Sequence, residues 1–127
     1  SRIEELTKFY GVSILLTDDT FQFLKQLESC IKVDFARVKG KQLPVTLYTP
    51  AATFIIENNL DCSVDDILKW SDSGFHYYQQ KEWGSALNSF KPLLGTKLFA
   101  ILSQRCEMYQ IESPDPGWDG VYEHTSK

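Results

Sequence analysis

Lys32, Arg37, Lys39 and Lys41 form a local basic strip inside an otherwise acidic chain. Such a strip suits nucleotide phosphates, whereas a nucleic-acid strand would require more charge interleaved with aromatic rings. Side chains alternate across a strand, so two of these cations should point to opposite faces. Lys39 and Lys41 fall in Val38-Lys39-Gly40-Lys41, a turn, and taken alone they are the charges of an exposed turn. Arg2, near the start of the first helix, is by itself an ordinary solvated cation. His76 and His124 are far apart, with no neighbouring Cys, Ser or acid arranged as a nucleophile or metal site, and neither is assigned a role. Cys30, Cys62 and Cys106 are odd in number and widely spaced. They support neither a zinc site nor a disulfide framework, and fit small buried hydrophobes in a reducing compartment.

The elements that must position these groups are readable from periodicity. Ile3, Leu6 and Tyr10 share a helical face and Gly11 stops that helix. Val12 to Leu16 is a short branched apolar run that predicts a buried strand. Thr17 or Asp18 caps a second helix with a stripe of Phe21, Leu24 and Leu27. From Cys30 to Val38, Ile31, Val33, Phe35 and Arg37 alternate with Lys32, Asp34 and Ala36, predicting a half-exposed strand. It pairs with Leu43 to Tyr48 as an antiparallel hairpin. Residues 51–59 are a short helix or packed connection, broken at Asn58-Asn59.

Ser63 with Asp66 resembles a capping box, followed by Val64, Ile67, Leu68, Phe75 and Tyr78 at helical spacing. Trp83, Ala86, Leu87, Phe90, Leu93 and Leu94 make the next stripe, ended by Gly95. A last helix from about Thr96 to Ile111 carries Leu98, Ile101, Leu102 and Tyr109 inward. Residues 113–127 hold Pro114, Pro116, Gly117 and Gly120 and read as an irregular tail, in which Trp118 must either dock on the helices or engage a partner.

The fold class is therefore α+β: a helix-strand-helix-β-hairpin unit followed by an all-α hairpin or bundle. With 127 residues, 43% hydrophobic and 24% charged, the composition is that of a soluble globular chain. No apolar run approaches the length a bilayer requires. A net charge of −4 argues against a duplex-tracking nucleic-acid binder. The chain opens at Ser1, its one methionine is Met108 and no signal-peptide pattern precedes it, so it is expected to be a piece of a longer, cytoplasmic protein whose membrane anchor, if any, lies upstream.

Residues 1–50 resemble the C-terminal part of a class III nucleotide cyclase catalytic domain. The matching residues are Ser1-Arg2-Ile3-Glu4-Glu5-Leu6-Thr7-Lys8, Tyr10-Gly11, Ile14-Leu15-Leu16, Asp19-Thr20, Val38-Lys39-Gly40-Lys41 and Tyr48, in the family's order and spacing. Residues 51–62 are a linker. Residues 63–112 resemble a helical region with one tetratricopeptide-like repeat, on Gly74, Tyr77, Ala86 and Phe90. The endings Gln104-Arg105-Cys106-Glu107-Met108-Tyr109 and Pro114-Asp115-Pro116-Gly117-Trp118-Asp119-Gly120-Val121, ahead of Thr125 and Lys127, look like the R-C-x-x-Y and P-P-x-x-W-D-G-V that follow cyclase domains in bacterial members. Asp115 stands where those proteins have Pro.

The resemblance implies a parent that converts ATP or GTP to cyclic nucleotide and pyrophosphate as a homodimer with two Mg2+ or Mn2+ ions. It implies that Arg2 stabilises charge at the α-phosphate and that Lys39 holds the triphosphate and the leaving pyrophosphate. A planar guanidinium suits spread phosphoryl charge, and an ammonium on a hairpin is a compact positive point. The family's two metal-binding aspartates would lie upstream of Ser1, so residues 1–127 alone are expected to show no turnover. The helical region would then regulate or stabilise the dimer, or recruit a protein. The competing class is a non-enzymatic, tetratricopeptide-like interaction module on a degenerate cyclase scaffold. A parent enzyme requires the upstream aspartates, and an adaptor would lack them.

Overall fold

The computed structural model describes residues 2–124, with side chains from Glu4 onward. The described residues form six α-helices and a three-stranded sheet: α1 (Arg2–Tyr10), α2 (Asp18–Leu24), β1 (Cys30–Arg37), β2 (Val45–Pro50), α3 (Ala51–Glu57), α4 (Val64–Gln79), α5 (Trp83–Phe90), a 3-10 turn (Lys91–Leu93), α6 (Lys97–Ile111) and β3 (Tyr122–Glu123). This is a mixed α+β fold, as the periodicity predicts.

The hairpin forms as expected, with β1 and β2 antiparallel from Cys30↔Pro50 to Ala36↔Val45. Its register slips between Lys32 and Asp34, a β-bulge at Val33 that breaks the simple alternation. The expectation of a half-exposed β1 is corrected here, because Val33, Asp34 and Ala36 are all fully buried. The tail supplies part of the cover. β3 pairs parallel to β1 through Ala36↔Tyr122 and Arg37↔Glu123, so the sheet order is β2-β1-β3 and β1 is its centre.

Two other expectations are corrected. Val12 to Leu16 is not a strand: only Leu16 makes a bridge, exchanging hydrogen bonds of 2.8 Å with Tyr48 in both directions. Gly11, at φ +70, turns the chain out of α1 against the Lys97 side chain, and the run crosses to α2 as a connection. The α2 stripe is not buried either. Phe21 stacks on Tyr48 at 3.9 Å, but α2 contains no buried residue, and Phe23 and Leu27 are 85% and 83% exposed.

The helices follow their local signals. Ser63 caps α4 through the expected box, its Oγ accepting from the Asp66 N–H at 3.0 Å while the Asp66 carboxylate accepts from the Ser63 N–H at 3.3 Å. Thr96 caps α6 by accepting from the Phe99 N–H at 3.2 Å. Of the stripe on α5 and the 3-10 turn, Trp83, Ala86, Phe90 and Leu93 are buried and Leu94 is largely exposed.

One hydrophobic cluster runs through the whole chain: Leu6 and Tyr10 from α1, Ile31, Val33 and Leu47 from the hairpin, and Ile67, Phe90, Phe99 and Leu102 from the helices all belong to it. The helical segment thus buries its apolar face against the sheet segment.

Candidate functional site

Two places could carry chemistry, and the first is the hairpin turn. Gly40, at φ +85, lets the Lys41 N–H donate to the Val38 carbonyl at 2.9 Å, and the closed turn presents Lys39 exposed to solvent. Beside it lies a cleft of about 550 Å³ lined by Leu6 of α1 and by Val38, Lys41, Leu43, Val45 and Leu47 of the hairpin. Arg2 opens α1 one helical turn before Leu6, and its side chain lies outside the described residues. The structure therefore brings α1 and the Lys39 turn to one cleft.

The basic strip does not stay together. Lys32 lies 5.9 Å from the centre of the Phe75 ring on α4, and the Arg37 guanidinium pairs with Glu123 of β3 while its Nε–H donates to the Gln42 carbonyl at 2.7 Å. Lys39 and Lys41 remain as the turn's exposed cations.

The second place is a buried polar centre that the sequence reading missed. Asp34, fully buried on β1, accepts three hydrogen bonds. Arg105 Nη1 of α6 donates to Oδ1 at 2.9 Å, the Phe35 N–H donates to Oδ1 at 2.9 Å, and the Tyr10 hydroxyl donates to Oδ2 at 2.6 Å. Arg105 Nη1 also donates to the Tyr78 hydroxyl at 3.3 Å, and its guanidinium lies 3.7 Å from the centre of the Tyr122 ring. His124 completes the set, its Nε2 standing 2.7 Å from the Tyr10 oxygen. The phenol has one proton, and that proton is given to Asp34. His124 must therefore donate, which fixes its neutral form as the Nε2–H tautomer.

Five elements (α1, β1, α4, α6 and the tail with β3) meet at this centre. Around it, Trp118 docks on the helices, its ring centre 5.5 Å from that of Tyr78 and 5.6 Å from those of Trp83 and Tyr109. One signal for the centre was present in the sequence. Arg105 falls on the same inward stripe of α6 as Leu98, Leu102 and Tyr109, where a cation can be buried only with a partner.

The electrostatics fit a structural tie between elements. Burial and the Asp34 charge push the Tyr10 phenol far above its ordinary range, and burial does the same to Tyr78 against the opposing pull of Arg105. Burial disfavours the Arg105 charge, but Asp34 and Tyr78 outweigh it and the net shift is upward. Burial raises the neighbouring Cys106 thiol to about 11, so no thiolate nucleophile is available there. Among the described residues no group of three or more His, Cys, Asp and Glu is arranged to hold a metal ion.

His124 gives the centre a pH dependence. Burial lowers its pKa from 6.5, with Asp34 pulling up and Arg105 pushing down. The unfolded chain then binds the proton more readily than the folded one, so this contribution is complete above about pH 6.5 and is lost as pH falls towards the lower folded value. The midpoint of urea unfolding should fall on acidification through this window, and His124→Gln should flatten that part of the profile. Identical profiles for the two proteins would show that His124 does not couple to folding.

No protein-family model matches the chain, and no curated protein or solved structure is significantly similar to it.

Proposed function

We propose that residues 1–50 are the C-terminal part of a class III nucleotide cyclase domain and that residues 51–124 brace it. One observation supports this reading above the others. α1 and the Val38–Lys41 turn, which the resemblance makes the carriers of the catalytic arginine and the triphosphate-binding lysine, border a single cleft. The parent would turn ATP or GTP into cyclic nucleotide and pyrophosphate, as a homodimer using Mg2+ or Mn2+ held upstream. Lys39 would hold the triphosphate and Arg2 the charge developing at the α-phosphate.

The helices would act by position. Asp34, three residues before the end of β1, is held by Arg105 of α6, and Arg37 at that end is held by Glu123 of β3. The strand leading into the Lys39 turn is therefore fixed from two sides, which favours a regulatory or bracing role for the helical segment.

The test is cyclic-nucleotide production by the full-length parent with each purine and each divalent ion. Lys39→Ala and Arg2→Ala should each lower kcat/KM at least about tenfold, a smaller loss than removal of a single oxyanion-stabilising donor commonly produces. A folded, dimeric parent with no activity, or one indifferent to both substitutions, would point to the adaptor reading.

A further inference from the structure

The end of α6 carries a feature that neither the cyclase reading nor the buried centre uses. After Ile111 the chain leaves the helix through Glu112, in extended conformation, and returns at Trp118 to pack on Tyr109. Between the helix end and the returning tail lies a cleft of about 860 Å³, with Tyr109, Trp118, Met108, Ile111 and Pro114 among its lining residues. Met108 and Ile111, one turn apart on α6, are 68% and 89% exposed. Two large apolar side chains displayed together over an aromatic floor are characteristic of a contact surface.

Charge narrows the occupant. The cleft's charged lining residues, Glu112 and Asp115, are both acidic. From Cys106 to Glu123 the sequence contains Glu107, Glu112, Asp115, Asp119 and Glu123 and no Lys or Arg. Arg37 neutralises Glu123, whereas none of the other four has a described ion-pair partner. The helix end adds to this field. The last turn of α6 carries no basic residue, so the partial negative charge of its free carbonyls is uncompensated.

We propose that this cleft docks a segment of a partner protein with an apolar face flanked by lysines or arginines. Apolar side chains would cover Met108, Ile111 and Trp118, and the flanking cations would meet Glu112, Asp115 and the α6 carbonyl end. Face-to-face pairing of two copies is disfavoured because the acidic rim would face its own like, and an anionic lipid surface is disfavoured for the same reason.

The test uses this chain with a fluorescent amphipathic helical peptide built of leucine and lysine, beside its leucine–glutamate counterpart, read by anisotropy. The lysine peptide should bind saturably, weaken as salt is raised and bind at least about tenfold more weakly to Ile111→Asp. The glutamate peptide should not bind. Ile111 is exposed, so the variant should keep its unfolding midpoint, and that check separates loss of docking from loss of fold. The double variant Glu112→Lys/Asp115→Lys should shift the preference towards the glutamate peptide. Equal binding of both peptides, no binding of the lysine peptide, or unchanged binding to Ile111→Asp would each overturn the proposal. So would self-association through the cleft, seen by sedimentation as a dimer that Ile111→Asp dissociates, or adsorption to phosphatidylserine vesicles that Ile111→Asp removes.

Discussion

Asp34→Ala should destabilise the protein by about 3–5 kcal/mol, the usual cost of removing one partner from a buried ion pair. The carboxylate is fully buried and takes three donors, from Arg105, Phe35 and Tyr10. Without it, Arg105, 6% exposed in the native fold, keeps only the Tyr78 hydroxyl and the Tyr122 ring for company. Its Nη2 already lacks a hydrogen-bond partner among the described residues, so the centre has little reserve. A loss of about 4 kcal/mol corresponds to about 15 °C in Tm for a chain of this length. It would consume much of the roughly 5–15 kcal/mol by which domains are stable at all.

The discriminating measurement is a double-mutant cycle by urea unfolding. Arg105→Met should be costly because it strands the Asp34 charge, yet Asp34→Ala/Arg105→Met should recover part of the loss, since no buried charge remains. The two effects should therefore be strongly non-additive. A loss below about 1 kcal/mol for Asp34→Ala, in the range of exposed pairs, would mean that water reaches the centre.

That centre was hidden from the sequence for a physical reason. Periodicity reports which face of an element is apolar, and alternation places Asp34 on the polar face of a strand. The bulge at Val33 shifts the phase, and Asp34 turns inward only because Arg105, 71 residues away, is there to meet it. No window of local sequence contains both partners. The same applies to His124, which has no partner nearby in the sequence and lies against Tyr10 across 114 residues. β3, two residues long in a Pro/Gly tail, exists because β1 offers it an edge. By contrast, the Ser63–Asp66 box, the β1–β2 hairpin and the stripe of Trp83, Ala86 and Phe90 are local patterns, and they were legible. Trp118 lies between these cases: its size requires a dock on the helices or a partner, and the tertiary fold decides for Tyr78, Trp83 and Tyr109. For the candidate site, the Lys39 turn was readable from its residues, but the convergence of that turn with α1 at one cleft was not.

Gly74→Ala should also be destabilising, although alanine is normally the better helix former by about 1 kcal/mol. Gly74 is buried in the body of α4, and a Cβ built there would stand 2.1 Å from Phe90 Cε1, 2.5 Å from Cδ1 and 2.7 Å from Cζ. A methyl cannot occupy that space unless the ring moves. Phe90 is fully buried, with the Phe75 ring centre at 5.7 Å and that of Phe99 at 5.3 Å, so moving the ring disturbs a packed aromatic cluster. Overpacking of this kind costs about 1–3 kcal/mol and occasionally more. With three ring atoms in conflict, the upper end applies, and after the propensity gain the net loss should be about 2 kcal/mol. The cause is testable apart from the size of the loss. Phe90→Leu alone should destabilise by emptying part of the core, but Gly74→Ala/Phe90→Leu should be less unstable than the sum of the single variants, because the smaller side chain admits the methyl. Additive losses would place the cost of Gly74→Ala somewhere other than the α4–α5 contact. A neutral or stabilised Gly74→Ala would mean that the two helices can move apart without penalty, and the helical pair would then be too compliant to brace the hairpin that carries Lys39.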